Sequence, residues 1–361
     1  MSGEKGEAYG FSPEDEDVVP LSLPGVAVSS PNGSHAHPLD QPPARVRSTR
    51  LDAGEFTPER MIPRTYDRPA TGWRRAVFQL SGGVIALNPG PDELRQRELV
   101  ARLKTPITGC RKIAFISRKG GVGKTSTCLL VGHTFATYRG DRVIAVDGNP
   151  DAGTLGHRVR RETTANLPSL LADTERIERY ADIRGYTSQA PSRLEVVASD
   201  DDPRITQAIG ESEFRRVVHL LERHYNLVCL DSGTGVLESA TRGILNAADQ
   251  IVLVGAPSLD GARAASSTLD WLEENGYRHL VEGAIAVLNA VGRTVGLVDV
   301  DRIEEHFAKR CRACVRIPWD PHLEVGSEAT LGQLRPATRR AYLELAAAIG
   351  SGFAETAERR F

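Results

Sequence analysis

Lys119-Gly120-Gly121-Val122-Gly123-Lys124-Thr125 stands between an apolar run, Lys112-Ile113-Ala114-Phe115-Ile116-Ser117, and a stretch from Ser126 to Tyr138 that reads as a helix. Strand, glycine loop and helix in that order are the setting of a phosphate-binding loop. The glycines let consecutive backbone N–H groups turn inward round phosphate oxygens, and the helix behind them adds the positive end of its dipole. In such a loop Lys124 brings a mobile positive charge to the β and γ phosphates, and Thr125 offers its hydroxyl to Mg²⁺. Gly120, Gly121, Val122, Gly123, Lys124, Thr125 and Ser126 are therefore candidate nucleotide-binding residues.

The chain around the loop is long enough to enclose it. At 361 residues and 40% hydrophobic content it can bury a sizeable core in one large or two medium domains. A formal net charge of -2 gives no ground for wholesale affinity for nucleic acid or anionic membrane, although a local basic patch is compatible with it. Five scattered cysteines do not make a disulfide framework and fit a reducing cytoplasm. Met1 to Gly10 lacks the basic-then-apolar layout of a secretory signal, and no run of ~18 apolar residues is present to span a bilayer. The expected location is cytoplasmic, with membrane contact peripheral at most.

Three regions are expected. Residues 1–70 are rich in proline, glycine and serine, and read as a disordered tail with acids at the front (Glu4, Glu7, Glu14 to Asp17) and arginines behind (Arg45, Arg47, Arg50, Arg60, Arg64, Arg68). The tail is either solvated or a docking segment that orders on a partner. Residues 71–108 read as an arm: Trp73, Val77, Phe78 and Leu80 form an apolar patch, and Pro91 to Lys104 a helix with Leu94, Leu99 and Leu103 toward one side. Residues 109–356 read as the nucleotide-binding domain. Further strands are expected at Arg142–Asp147, Arg193–Ala198, Asn226–Asp231, Gln250–Gly255, Ala284–Leu288 and Val315–Pro318. Helices are expected at Pro203–His224, Leu259–Glu274, Asp301–Lys309 and Pro336–Ile349. Apolar strands alternating with helices predict an α/β fold, a doubly wound, mostly parallel sheet covered on both faces, with ligands beyond the carboxyl ends of the strands. Asp231, closing the apolar run Leu227 to Leu230, reads as a Walker B carboxylate that holds Mg²⁺ through water.

One position narrows the class. Where the common phosphate loop has its first glycine this chain has Arg118, followed by Lys119. A lysine there folds back poorly on its own nucleotide and is placed to reach phosphates held by a second subunit. The loop resembles the deviant Walker A box of the ParA/MinD family, in which two protomers sandwich two ATP molecules. The resemblance continues through Asp147-Gly148-Asn149-Pro150 at the switch I position, Thr241 to Val254 after Walker B, Val287-Leu288-Asn289, and Ile317-Pro318-Trp319-Asp320. It implies that Asp147 joins the Mg²⁺ shell with Thr125 and Asp231, that Asn289 reads adenine, and that Pro318 and Asp320 belong to a loop closing over the base. It also implies that Asn149 stands where the family's second aspartate orients the attacking water. Asparagine accepts a hydrogen bond but brings no basicity, so hydrolysis is slow or relies on another carboxylate such as Asp151. Lys119, Lys124, Asn149 and Asp147 are the candidate catalytic residues.

Over residues 72–350 the chain is most similar to the MinD-like ATPases found with type VII (ESX) secretion systems of actinobacteria. Trp73-Arg74-Arg75, Asn88-Pro89-Gly90-Pro91, Leu170-Leu171-Ala172-Asp173, Tyr180 to Arg184, Asp270 to Tyr277 and Pro318-Trp319-Asp320 carry that likeness. It implies an ATP- and Mg²⁺-dependent homodimeric switch that recruits or positions partner proteins at a secretion apparatus. The alternatives are a DNA-partitioning ATPase and a regulatory ATP-binding module with little hydrolysis. Three other features have plain structural readings. Cys311 and Cys314 read as a structural thiol pair rather than a cluster-bridging Cys-x-x-Cys, the apolar face Ala341, Tyr342, Leu345, Ala348 and Ile349 as a core helix rather than a membrane anchor, and Arg158, Arg160 and Arg161 as a solvated basic face, the alternative being one that meets DNA or an acidic partner.

Overall fold

The computed structural model describes residues 72–81, 88–149, 153–200, 202, 204, 209–235, 239–292 and 298–358. The expected tail, and Pro150 and Asp151 of the switch segment, lie outside the described residues. Eight strands form one sheet: β1 (Arg111–Ile116), β2 (Val143–Gly148), β3 (Ser188–Gln189), β4 (Glu195–Val197), β5 (Leu227–Ser232), β6 (Gln250–Gly255), β7 (Ile285–Val291) and β8 (Ala313–Pro318). Their order is β3-β4-β2-β5-β1-β6-β7-β8. The short β3 pairs antiparallel with β4, and every other neighbouring pair is parallel. The chain winds from β1 towards β2 on one side and towards β6 on the other, so the crevice at the end of β1 is where a doubly wound sheet receives a ligand.

The main helices are α1 (Gly72–Leu80), α2 (Pro91–Leu103), α3 (Lys124–Tyr138), α4 (Glu211–Glu222), α5 (Ser239–Ala247), α6 (Leu259–Glu274), α7 (Val300–Ala308) and α8 (Pro336–Glu358). Alternation along each strand assigns them to two layers. Ile113 and Phe115 of β1, Val143 and Ala145 of β2, and Leu227 and Cys229 of β5 face the layer of α2, α3 and α8. Ala114 and Ile116, Ile144 and Val146, and Val228 and Leu230 face α4 to α7. Both faces are covered, which explains why the central strands carry apolar residues without alternation. The expected core face of α8 is buried at Ala341, Tyr342, Leu345, Ala348 and Ile349, and the helix runs on past Ile349 to Glu358.

The arm packs on this domain. The buried Arg139, just beyond α3, donates to the carbonyls of Leu103 at 2.7 Å and Thr105 at 2.8 Å, tying the end of α2 to the end of the phosphate-loop helix. Gly350 lets α8 come close: a Cβ there would lie 2.7 Å from the Arg102 carbonyl oxygen.

Three expectations need correction. Leu94 is 54% exposed whereas Leu99 and Leu103 are buried, because five residues of helix turn Leu94 about 140° away from the Leu99 face. In the expected apolar patch Leu80 is exposed, and the side chains of Trp73 and Val77 lie outside the described ones. The helix expected over Pro203–His224 is not continuous: Ile209 and Gly210 are non-helical, and an extended Gly210 gives its N–H to the Glu213 carboxylate at 3.2 Å where Glu211–Glu222 begins, while Pro203 and residues 205–208 lie outside the described residues.

Leu103→Ala should therefore lower the unfolding free energy by about 2–5 kcal/mol in urea titrations, as a cavity at a fully buried leucine does, whereas Leu94→Ala should stay within about 0.5 kcal/mol of the parent.

Candidate nucleotide-binding site

The loop leaves β1 through Ser117, whose hydroxyl accepts the Lys119 N–H at 3.2 Å. Gly121 (φ +73°) and Gly123 (φ +84°) adopt the left-handed conformation that side chains disfavour. Gly123 is constrained a second time, since a Cβ there would sit 2.0 Å from the Asn289 amide nitrogen. Asn289 reaches the loop because β7 is irregular between Leu288 and Val291, with Ala290 held at φ +59°. Its amide donates to the Val122 carbonyl at 2.8 Å, and its oxygen accepts the Ala290 N–H at 3.0 Å. The expected base-reading asparagine is thus a strut under the phosphate loop in this structure, as well as part of the cleft wall.

Lys124 opens α3 and turns into the protein. Its ammonium lies 2.7 Å from Asp231 Oδ1 and makes a short contact with the Ser232 carbonyl, with Lys124 8% and Asp231 1% exposed. Strand register sets Asp147 beside Asp231 at the carboxyl ends of β2 and β5. The two carboxylates differ in what surrounds them. Asp147 is enclosed by the segment that follows it, accepting from Leu155 N–H at 2.9 Å, Asn149 N–H at 3.3 Å and the Ser199 hydroxyl at 3.4 Å. Gly153 packs so closely that a Cβ there would lie 1.9 Å from Asp147 Oδ1. Asp231 Oδ2, by contrast, is buried without a hydrogen-bond partner among the described residues. That vacant acceptor fits a hydrated Mg²⁺, which takes one or two carboxylates and keeps several waters and phosphate oxygens. The half-buried Thr125 follows Lys124 at the start of α3.

Beside the loop is a cleft of about 290 Å³, walled by Gly121 to Gly123, Ser126, Ala256 to Ser258, Asn289 and Ala290, and Pro318 to Asp320. Trp319 is steadied by Glu324, which accepts its indole N–H at 3.0 Å, and by the Arg335 guanidinium 5.6 Å from its ring centre. Asp320 shapes the turn, accepting N–H groups of His322 at 3.1 Å and Arg335 at 2.9 Å. Burial opposes its charge, but these donors win and hold its carboxyl below the usual value. Lys119 lies exposed at the loop mouth.

Sequence reasoning missed Ala256 to Ser258 and named Trp319 only as part of the loop closing over the base, although the end of β6, next to β1, is where the fold's crevice lies. It also placed Arg158 on a solvated face with Arg160 and Arg161. The latter two are exposed, but Arg158 is half-buried and donates to the Ser126 hydroxyl at 3.1 Å, inside the site. No sequence periodicity marks it, because a short 3-10 turn over Gly156–Arg158 aims it inward. Burial pushes the Cys311 and Cys314 thiols up to about 11 and about 12, so both are protonated near neutral pH.

A sheet of this order, a glycine loop after β1 and carboxylates ending β2 and β5 make the chain a P-loop ATPase-fold protein of the ParA/MinD type, and residues 110–280 match the AAA domain family AAA_31. The fold is shared with the ParA family ATPase from Chlorobium tepidum TLS, at 18% identity and TM-score 0.57 over 66% of this chain and 98% of that chain. It is shared too with the septum site-determining protein MinD from Pyrococcus horikoshii OT3, solved with Mg-ADP, at 18% identity and TM-score 0.54 over 66% of this chain and 94% of that chain. In sequence the chain is homologous to the ESX-1 secretion-associated protein EspI of Mycobacterium tuberculosis, 37% identical over 291 residues, 80% of this chain and 43% of that protein. It spans less than half the length of that curated relative.

Asp147 gives the ligand-free site a pH signature. Burial first, then the negative charge of Asp231, push its carboxyl from 3.8 up to about 7, against the pull of the Leu155 and Asn149 N–H groups. The folded state holds this proton more tightly than the unfolded chain, so the stabilisation is full below about pH 4 and is lost as pH rises through about 7. The urea midpoint of the parent relative to Asp147→Asn should fall across that window; a difference that rises instead contradicts the assignment.

Proposed function

We propose that the chain binds ATP with Mg²⁺, dimerises when it does so, hydrolyses ATP slowly, and acts as a cytoplasmic switch that recruits or positions partner proteins at a type VII secretion apparatus. The observation that carries the reading is the contrast between the two lysines of one loop. Lys124 is buried against Asp231, whereas Lys119 is exposed and its ammonium has no carboxylate partner among the described residues. A charge facing outward at the mouth of a phosphate loop suits phosphates held by a second copy. Sequence similarity to a secretion-associated protein supports the cellular setting. Among the described residues no helix is long and apolar enough to cross a membrane.

The phosphates of ATP would draw Lys124 away from Asp231 and the Ser232 carbonyl and leave the Asp231 carboxylate free. Thr125 and Asp231 would then hold Mg²⁺, with Asp147 beside them, and the ion would supply charge neutralisation on the phosphates. Backbone N–H groups of Gly120 to Gly123 would cradle the phosphate chain, while Asn289, Pro318 and Asp320 frame the pocket for the base. Asn149 has no basic group to orient water, so a long-lived ATP state follows. Phosphoryl transfer depends mostly on positioning and charge, which leaves residual hydrolysis to Lys119 and Lys124.

Light scattering with ATP and Mg²⁺ should report a dimer for the parent and a monomer for Lys119→Ala, which should still bind ATP, while Lys124→Gln should lose ATP binding. A parent that binds ATP and stays monomeric refutes the dimeric switch. In single-turnover assays Asn149→Asp should raise hydrolysis by roughly 10-fold or more, towards the ~10² to 10⁴-fold contribution of a positioned base. An unchanged rate would move the catalytic carboxylate elsewhere.

A further inference from the structure

Arg158 is half-buried, forms no ion pair with a carboxylate among the described residues, and has its Nε buried without an acceptor. Its one side-chain hydrogen bond there runs from an Nη1–H to Ser126 Oγ at 3.1 Å. Ser126 is in the first turn of α3 and lines the cleft beside the loop; Arg158 is not among the residues that line it.

The direction of this bond decides what the serine can do. A hydroxyl has one proton to give and two lone pairs to receive with. Thr127 and Thr134 on the same helix turn their hydroxyl protons back onto carbonyls four residues earlier, Gly123 at 2.8 Å and Leu130 at 2.7 Å. The carbonyl four residues before Ser126 is that of Val122, and it already accepts the Asn289 amide. Ser126 makes no such backward bond among the described residues. Receiving from Arg158, Oγ keeps its proton for an acceptor on the cleft side, and a cationic donor to a hydroxyl strengthens the bond the hydroxyl gives.

We infer that Arg158 is a positioning residue for the nucleotide: it fixes and polarises the Ser126 hydroxyl as a donor to the phosphate chain. The inference rests on the ATP-binding reading above. The surroundings favour it, because burial lowers the affinity of the guanidinium for its proton while the nearby negative charge of Asp231 only partly offsets this. An anion entering the cleft would complete the compensation.

The test is a double-mutant cycle on ATP binding by the full chain, measured calorimetrically with Mg²⁺, over the parent, R158Q, S126A and the double variant. R158Q should weaken ATP about 10-fold in the parent, the scale of one hydrogen bond to a charged group. In the S126A background it should cost no more than about 2-fold, because the group it acts through is gone. R158K should recover part of the loss, keeping the charge but not the planar fork. The ligand-free urea midpoint of R158Q should be no lower than the parent's, a readout that a merely structural arginine would lower. Equal ATP affinity in R158Q and the parent overturns the inference, and so does an equal R158Q penalty with and without Ser126. If R158Q does not fold, R158K in both backgrounds carries the same comparison, and additivity there overturns it. A parent that does not bind ATP defeats the underlying reading, whereas a parent that binds ATP with no coupling between Arg158 and Ser126 defeats this inference alone.

Discussion

The ion pair between Lys124 and Asp231 is the constraint on which the rest of the site depends. It joins the first residue of α3 to the end of β5 at the centre of the sheet, with both groups almost wholly withdrawn from water. A charge buried at such a place is tolerable when paired and costly when its partner is removed. Beside the pair lies a second carboxylate, Asp147, at the matching register position of β2. Burial first, and then the charge of Asp231, push Asp147 towards its neutral form, while Asp231 keeps the lysine. The ligand-free centre is therefore balanced by an internal pair that an incoming phosphate chain and cation would replace group for group.

The scaffold keeps these groups in register. Strand alternation divides the interior into two layers, and α3, the helix on which the phosphate loop ends, lies in the layer shared with α2 and α8. Arg139 fastens the far end of α3 to the carbonyls of Leu103 and Thr105. At the near end, the irregular β7 delivers Asn289 to the Val122 carbonyl. The loop is thus supported from below by a strand and from behind by a helix that is itself clamped, with Lys119 left exposed at its mouth.

The segment after β2 wraps the carboxylate it follows. Leu155 and Asn149 give their N–H groups to Asp147, Gly153 admits close contact, and three residues beyond Leu155 the chain sends Arg158 to Ser126. One stretch therefore touches both the carboxylate at the end of β2 and the first turn of α3. A change in charge at Asp147 or in the company of Ser126 would be felt by the same few residues, which gives the proposed switch a short physical route.

Much of this was legible without coordinates. The loop from Lys119 to Thr125, the apolar runs ending in Asp147 and Asp231, and the alternation of strands and helices determined the fold class, because backbone propensity and the need to cover both faces of a parallel sheet act locally and leave periodic marks. The family likeness read from the same residues agrees with the match over residues 110–280 and with the homology to EspI. What needed tertiary structure were contacts that leave no period in the chain. Leu80 belongs to an apolar run yet faces water, whereas the separation of Leu94 from Leu99 was already written in the helix period. Arg158 sits in a basic cluster, but a single 3-10 turn takes it from the company of Arg160 and Arg161 to the phosphate loop. Asn289 braces Val122 across 167 positions of chain through an irregularity in β7 that no residue type announces. Sequence fixes what each segment can form on its own; which charges are left to balance one another is decided when segments distant in the chain are buried together.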